Sequence, residues 1–247
     1  MDLDTLATTV ARHPIALWLL GMTAGALLGS GALWALKTLR HRPSPVRHLL
    51  HAASATTVML LSMAAAACAL LAGGALMAEL AEGWQRTGTW SRVDEGIAQQ
   101  LRLHADMAAL RWFGALTHLG DTAVLTTLTL AVTAALWWRR HRLLAVGWLV
   151  AMAGNGLLTK ILKDVFARVR PEHVHGAAQA DGFSFHSGHS SASMVAYAML
   201  AYWALRLLPR AWQVPAVCCG GALTFFTGWS RVVLHVHYVS DALADWV

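Results

Sequence analysis

Three short clusters in the second half of the chain combine residues that can bind an anion with residues that can act as a nucleophile. The first cluster places Lys163 and Arg170 seven positions apart, with Pro171 directly after them. Seven positions make about two helical turns, so the two cations share a face if the helix continues, although a residue before proline is biased toward an extended conformation. Together with Lys160 and Arg168, these cations also suit a snorkelling belt that holds a span at the lipid headgroups.

The second cluster is His186-Ser187-Gly188-His189, which stands directly before an apolar run that starts at Ser190. A serine and a glycine at a helix start leave several backbone N–H groups unpaired and pointing outward, and these groups form an anion site without any charged side chain. A phosphate would fit there. The alternative interpretation is an ordinary serine N-cap on the helix that follows.

The third cluster contains Arg231, His237 and Asp241. His237 and Asp241 are at i and i+4, so the carboxylate can accept a hydrogen bond from one ring nitrogen and fix the tautomer of the imidazole. His235 has Val239 at the equivalent position, so His237 is the candidate nucleophile and His235 is not. A helix-end salt bridge beside an interfacial histidine is the alternative.

Membrane-spanning helices are the elements predicted to position these clusters. Hydrophobic residues make up 57% of the 247 residues and charged residues only 13%, against about 25% charged in soluble domains. This composition excludes a disordered tail protein and a typical cytosolic enzyme. Uncharged runs reach or approach the roughly 17 to 25 residues that cross a bilayer. They are residues 15–36, 52–78, 122–138, 143–159, 190–205 and 211–230.

The distribution of charge predicts which side of the membrane holds the clusters. The net charge of +6 fits basic loops of a membrane protein, so no nucleic-acid partner is predicted. The links after the first and third runs carry arginine and lysine without any acid, which predicts that both are cytoplasmic. Alternation then puts the N-terminus and all three clusters on the outer side.

Two further segments carry expectations about the fold. Val93, Ile97 and Leu101 recur at i, i+4 and i+8, which suits a helix that lies along the interface with its apolar stripe in lipid, or equally a solvated loop helix. Only ten residues run from Tyr238 to Val247, and as a helix they would rise about 15 Å, half the hydrocarbon thickness. The last helix is therefore expected to be truncated or not to cross the membrane.

Together, the three clusters resemble the signature of the type 2 phosphatidic acid phosphatase superfamily of membrane lipid phosphatases. That signature reads Lys-x6-Arg-Pro, then Pro-Ser-Gly-His, then Ser-Arg-x5-His-x3-Asp. The chain has KDVFARVRP at 163–171, HSGH at 186–189 and SRVVLHVHYVSD at 230–241, in the same order and with the spacing intact. His186 stands where the family has proline, which is expected to add a donor near the phosphate. The likeness covers residues 93–247.

The resemblance implies an all-α fold, a polytopic transmembrane helical bundle with a six-helix phosphatase-like core. Residues 1–50 would add one N-terminal transmembrane helix and a basic cytoplasmic link. Residues 51–247 would form the membrane phosphatase domain, with an apparently truncated last helix. The protein is expected in the cell inner membrane, crossing it several times, with the active site facing the periplasm or the exterior.

The resemblance also implies a role for each matched residue. His237 would attack phosphorus and form a phosphohistidine, Asp241 would stabilise its ring, and His189 would act as general acid and then as base. The phosphate-binding residues would be Lys163, Arg170, Ser187, Gly188 and Arg231. No metal or other cofactor is implied, because three side-chain cations take the place of a divalent ion. The substrate would be a lipid phosphate or an isoprenoid diphosphate drawn from the membrane lipids, with the oligomeric state left open.

Two other classes of protein compete with this interpretation. A non-catalytic lipid-binding protein could use the same fold, although every matched polar position is filled and only the proline is missing. A membrane metal or haem protein could use some of the 13 histidines, but haem ligation needs histidines deep in facing helices and none lies inside the clear spans.

Overall fold

The computed structural model describes residues 3–25, 89–171 and 182–246, together with isolated residues between 56 and 79. Within those ranges the regular elements are all helical, which confirms the predicted all-α class. They are α1 (Leu3–Arg12), α2 (Pro14–Gly25), α3 (Thr89–His104), α4 (Met107–Thr117), a 3-10 turn (His118–Gly120), α5 (Thr122–Trp138), α6 (Arg142–Phe166), α7 (Gly188–Leu207), α8 (Arg210–Val233) and α9 (Val239–Ala244).

Three helical stretches of the described chain are long and apolar enough to cross a membrane. They are the α4–α5 unit Met107–Trp138 with 32 residues, α6 with 25 and α8 with 24, whereas about 20 residues suffice. These stretches contain the predicted runs 122–138, 143–159 and 211–230, and α7 contains the run 190–205. The predicted polytopic membrane protein is thereby confirmed.

The N-terminal half of the prediction lies mostly outside the described residues. Of the run 15–36, only the part within α2 is described, and the run 52–78 is represented by isolated residues. The extra N-terminal span, the six-helix core and the division at residue 50 therefore stay predictions.

The helix that carries Lys163 ends before it reaches Arg170. Ala167 has a φ of 44° and closes α6 with its backbone N–H donated to the carbonyl of Lys163. This left-handed residue turns the chain, so Lys163 and Arg170 do not share a helix face. The condition attached to that prediction, a helix that persists to Arg170, is not met.

The apolar stripe of α3 is covered by protein. Ile97 is 9% exposed and Leu101 is 1% exposed, and both belong to one apolar cluster with residues of α1, α8 and α9. Val10 of α1 and Val232 of α8 are among their neighbours. Both environments predicted for this stripe, lipid and solvent, are therefore wrong, because the sequence pattern does not show which helix will lie over it.

Helices α7 and α8 pack closely at Gly220, and this contact predicts a position-specific loss of stability. A Cβ at Gly220 would lie 2.9 Å from the backbone oxygen of Tyr197 and 3.2 Å from the Cβ of Ala201, whereas a Cβ at Gly221 would meet nothing within 4 Å. We expect Gly220→Ala to destabilise the protein by about 1 to 3 kcal/mol through overpacking. Gly221→Ala gains about 1 kcal/mol of helix propensity. Thermal unfolding in detergent measures both, and an equal response of the two variants would contradict the close packing.

Candidate active site

A cavity of about 700 Å³ lies between α5, α6 and α7 and reaches the loop after α8. Six of the eight predicted site residues line it, namely Lys163, Arg170, Gly188, His189, Arg231 and His237. The other two lie directly behind the lining and are fully buried. Ser187 caps α7, with its side chain accepting from the backbone N–H of Ser190 at 3.4 Å, and Asp241 lies beside His237. The structure therefore brings all three sequence clusters together.

The imidazole of His237 is buried and held in one orientation. Its Nε2 lies 3.1 Å from Nη1 of Arg170. Because a guanidinium nitrogen can only donate, Nε2 is the acceptor and the ring proton is on Nδ1. Nδ1 in turn lies 3.4 Å from Oδ2 of Asp241, which is long for a hydrogen bond but close enough for attraction. The lone pair of Nε2 is thereby directed toward the cations of the cavity.

Asp241 reaches His237 across the start of a helix. His237 precedes α9 and Asp241 lies in its first turn, so the two are not neighbours on one helix face, as their i and i+4 spacing had suggested. The backbone N–H of Tyr238 donates to Oδ2 of Asp241 at 3.0 Å, and Ser184 and Arg168 also donate to this carboxylate. The predicted contact is present, but its geometric reason was wrong.

The electrostatics favour a neutral imidazole beside an ionised carboxylate. Burial lowers the pKa of His237 to about 4, and the charges of Arg170 and Arg231 act in the same direction against the attraction of Asp241. Burial by itself would raise the pKa of Asp241, but the close contact with His237 and the charge of Arg168 hold that pKa below its ordinary value. At neutral pH the imidazole therefore keeps its nucleophilic lone pair.

The arginines of the cavity are fixed by hydrogen bonds to other elements. Arg231, in the last turn of α8, is 3% exposed and donates from Nη1 to Oγ1 of Thr117 at 3.2 Å. Arg170 donates from Nε to the carbonyl of Gly182 at 2.9 Å and from Nη1 to that of Val236 at 2.7 Å. Donors fixed before a ligand arrives need little reorganisation to stabilise an anion. In the described part of the chain, Nε of Arg231 has no hydrogen-bond partner and is left available for one.

His189 has an acidic partner that the sequence motifs do not include. Its Nε2 lies 2.8 Å from Oδ1 of Asp121, whose other oxygen lies 2.6 Å from Nδ1 of His118. Asp121 stands between the 3-10 turn and α5. The sequence does offer a signal for Asp121, since this acid stands directly ahead of an apolar span. An acid in that position can lie only at the polar end of the bundle.

Two other residues behave differently from the sequence expectation. Arg168, one of the cations assigned to a snorkelling belt, has a side chain only 10% exposed and bonds to the carboxylates of Asp94 and Asp241. His186 lies outside the described lining of the cavity, and its Nδ1 is 2.7 Å from Oδ1 of Asp245. The donor expected from His186 near the phosphate is therefore directed elsewhere.

The fold and the cavity together indicate the class, a helical membrane protein with a cationic pocket around a buried histidine. Comparison with known proteins shows what the chain resembles. Residues 144–247 match the model of the PAP2 superfamily. The resemblance predicted from the three motifs is thereby confirmed.

Individual relatives are lipid phosphatases by name. The chain is 32% identical over 130 residues to phosphatidylglycerophosphatase B of Bacillus subtilis (strain 168), and 32% identical over 99 residues to lipid A 1-phosphatase of Rhizobium etli. These alignments cover 52% and 36% of the chain. They span 64% and 39% of the two relatives, so the chain matches less than two thirds of the length of either.

A solved structure extends the likeness over most of the chain. It is the crystal structure of the first transmembrane PAP2 type phosphatidylglycerolphosphate phosphatase from Bacillus subtilis. The TM-score is 0.65 at 27% sequence identity, and the match covers 71% of this chain and 88% of that one. The predicted transmembrane bundle is thus similar to a known membrane phosphatase.

Proposed function

We propose that the chain is a phosphatase that hydrolyses lipid phosphates through a phosphohistidine on His237. The observation that carries this proposal is the placement of Nε2 of His237, 3.1 Å from Arg170, in one cavity with Lys163 and Arg231. A nucleophilic nitrogen among fixed cations is the arrangement that phosphoryl transfer requires, because the protein mainly positions the group and neutralises its oxygens.

The proposed reaction has two steps. Nε2 of His237 bonds to phosphorus while the bond from phosphorus to the lipid oxygen breaks, and His189 gives a proton to that oxygen. Asp241 stabilises the ring as it becomes positive. Water then attacks phosphorus, His189 takes its proton, and the N–P bond breaks to release inorganic phosphate and neutral His237. Ser187 and Gly188 belong to the helix start that would bind the phosphoryl oxygens.

The part of the cavity that lies farthest from Lys163 supports a substrate with a long apolar tail. The lining follows α6 from Lys163 to Leu149, a rise of about 21 Å for 14 residues. Apolar side chains line this part, including Leu125, Leu130, Leu149 and Met152. Leu130 is 62% exposed and Leu149 is 39% exposed, so the apolar wall opens on the outer face of the bundle. An acyl or isoprenoid chain could enter there while its phosphate meets the cations, and the names of both relatives agree with a lipid substrate.

The proposed site faces the extracytoplasmic side. The loop between α5 and α6 carries Arg139 and Arg140, and it lies at the opposite ends of these helices from the cations of the cavity. The positive-inside rule puts that loop in the cytoplasm. We therefore place the protein in the cell inner membrane with the reaction at its outer face.

Phosphate release from a panel of substrates tests this function. Purified protein in detergent is given phosphatidic acid, phosphatidylglycerophosphate, undecaprenyl diphosphate and the chainless glycerol 3-phosphate, each with and without EDTA. We expect release from at least one lipid, much less from glycerol 3-phosphate, and no effect of the chelator. Loss of activity with EDTA would contradict the proposed mechanism, and binding of the lipids without any release would favour the non-catalytic lipid-binding alternative.

A further inference from the structure

A buried guanidinium links the carboxylate behind His237 to a helix that carries none of the motifs. Arg168 donates from Nη1 to Oδ1 of Asp241 and from Nη2 to Oδ2 of Asp94, the latter at 2.9 Å. The side chains of Asp94 and Asp241 are 1% and 0% exposed. Arg168 is outside the described lining of the cavity, so its charge acts on the site through Asp241.

The position of this guanidinium is fixed from several sides. Its Nη1 also donates to Oγ of Ser240 at 2.9 Å, and its Cζ lies over the ring of Tyr238, 4.2 Å from the centroid. Asp94, on α3, is itself held by the backbone N–H of Ser240 at 3.0 Å and by the Ser240 hydroxyl. A guanidinium that bridges two anchored carboxylates has little freedom to leave Asp241.

Resting on the proposed function, we propose that Arg168, held by Asp94, is a positioning residue that keeps Asp241 ionised and oriented behind His237. A nearby positive charge favours the ionised form of a fully buried carboxylate, which burial by itself disfavours. Ser184 and the Tyr238 N–H also donate to Asp241, but both are neutral. Arg168 is the cation in direct contact with this carboxylate in the described part of the chain.

The charged surroundings of the pair set the direction of the expected pH effect. Several titratable or charged groups act on Asp241 or on His237, namely Lys163, Arg168, Arg170, Arg231, Tyr238 and Asp245. Asp94 acts on Arg168 and Tyr238. Removing the positive charge of Arg168 leaves Asp94 and Asp241 without the cation that lies between them. The pair of Asp241 and His237 then takes up a proton at a higher pH, so the acidic limb of the pH profile moves upward.

The test compares three variants of the full chain with the wild type by pH profiles of kcat/KM on one lipid phosphate. For Arg168→Gln we expect kcat to fall about 10- to 100-fold and KM to change little. We also expect the acidic limb of the kcat/KM profile to move to higher pH by about one unit or more. Arg168→Lys keeps the charge, so its limb stays near that of the wild type. Asp94→Asn removes a negative charge beside Arg168 but keeps an amide oxygen that can accept from Nη2 of Arg168. The guanidinium therefore stays in place, and the acidic limb does not move to higher pH.

Arg139→Gln, at the far end of α5, is the matched control and is expected to change neither kcat nor the profile. The same substrate is used throughout, so its own ionisation cancels in the comparison. The proposal would be overturned if the acidic limb of a folded Arg168→Gln protein stayed at the wild-type pH, or if the acidic limb of Asp94→Asn moved to higher pH. If Arg168→Gln does not fold, the Asp94→Asn and Arg168→Lys profiles decide. Wild-type protein that released no phosphate would instead refute the proposed function itself.

Discussion

Replacing His237 with asparagine is expected to lower phosphate release by about 10⁴-fold or more, as loss of a covalent nucleophile does in other enzymes. Asparagine has no nitrogen that can attack phosphorus, whereas the cations of the cavity remain in place. The fold should survive, because Asp241 keeps its donors Arg168, Ser184 and the Tyr238 N–H. The measurement is initial-rate phosphate release, together with the melting temperature of each protein.

His235 provides the matched control for this variant. It is also buried and two positions away, but it lies outside the described lining of the cavity. His235 has a φ of 57°, a conformation that asparagine tolerates, so His235→Asn should fold and retain activity.

A labelling experiment tests for the phosphohistidine directly. Wild-type protein that is mixed with a lipid carrying a labelled phosphate and then quenched in alkali should carry the label, and acid should remove it. Label that persists in His237→Asn would place the nucleophile elsewhere.

The second large effect is expected at His189, and it should depend on the substrate. His189→Ala removes the proposed proton donor for the leaving oxygen, so hydrolysis of an alkyl phosphate should fall by about 10² to 10⁴-fold. A nitrophenyl phosphate with an apolar tail has a leaving group that needs no proton, so formation of the phosphohistidine should be almost unchanged. The burst of nitrophenol in rapid mixing measures this step separately from the later attack of water.

Asp121 gives an independent check on the assignment of His189. Because Asp121 accepts from Nε2 of His189 at 2.8 Å, Asp121→Asn should show the same dependence on the leaving group with a smaller loss, about 10- to 100-fold. Asp106, which caps α4 away from the cavity, is the control, and Asp106→Asn should act like the wild type. Equal losses on both substrates would mean that His189 binds the phosphate without transferring a proton.

The parts of the site that the sequence predicts are those that depend on local signals. Lys163, His189 and Arg231 each lie within one helical turn of the end of an apolar helix, so the polar ends of the spans bring them together once the topology is known. The motif spacing inside each segment then restricts which side chains can meet. The family signature adds the roles, which stay predictions until they are measured.

The parts that the sequence does not predict depend on contacts between distant segments. Arg168 and Asp94 are 74 positions apart, and nothing in the composition around either residue indicates that they pair. The cover over Ile97 and Leu101 comes partly from α1, about 90 positions earlier in the chain. The end of α6 at Phe166 depends on Ala167 adopting a left-handed conformation, for which alanine has no preference.

The cavity has a cationic end and an apolar end, and this division has a consequence for the order of events in each turnover. In the proposed reaction with a phosphatidic acid, transfer of the phosphoryl group to His237 leaves an uncharged diacylglycerol that contacts only apolar side chains such as Leu130 and Leu149. This alcohol would diffuse sideways into the bilayer, while water would reach the phosphorylated enzyme from the opposite, aqueous end. The bilayer and the aqueous phase would thus supply and remove different reactants. We expect a neutral lipid alcohol to compete with the substrate at the apolar part of the cavity, and free phosphate to compete at the cationic part.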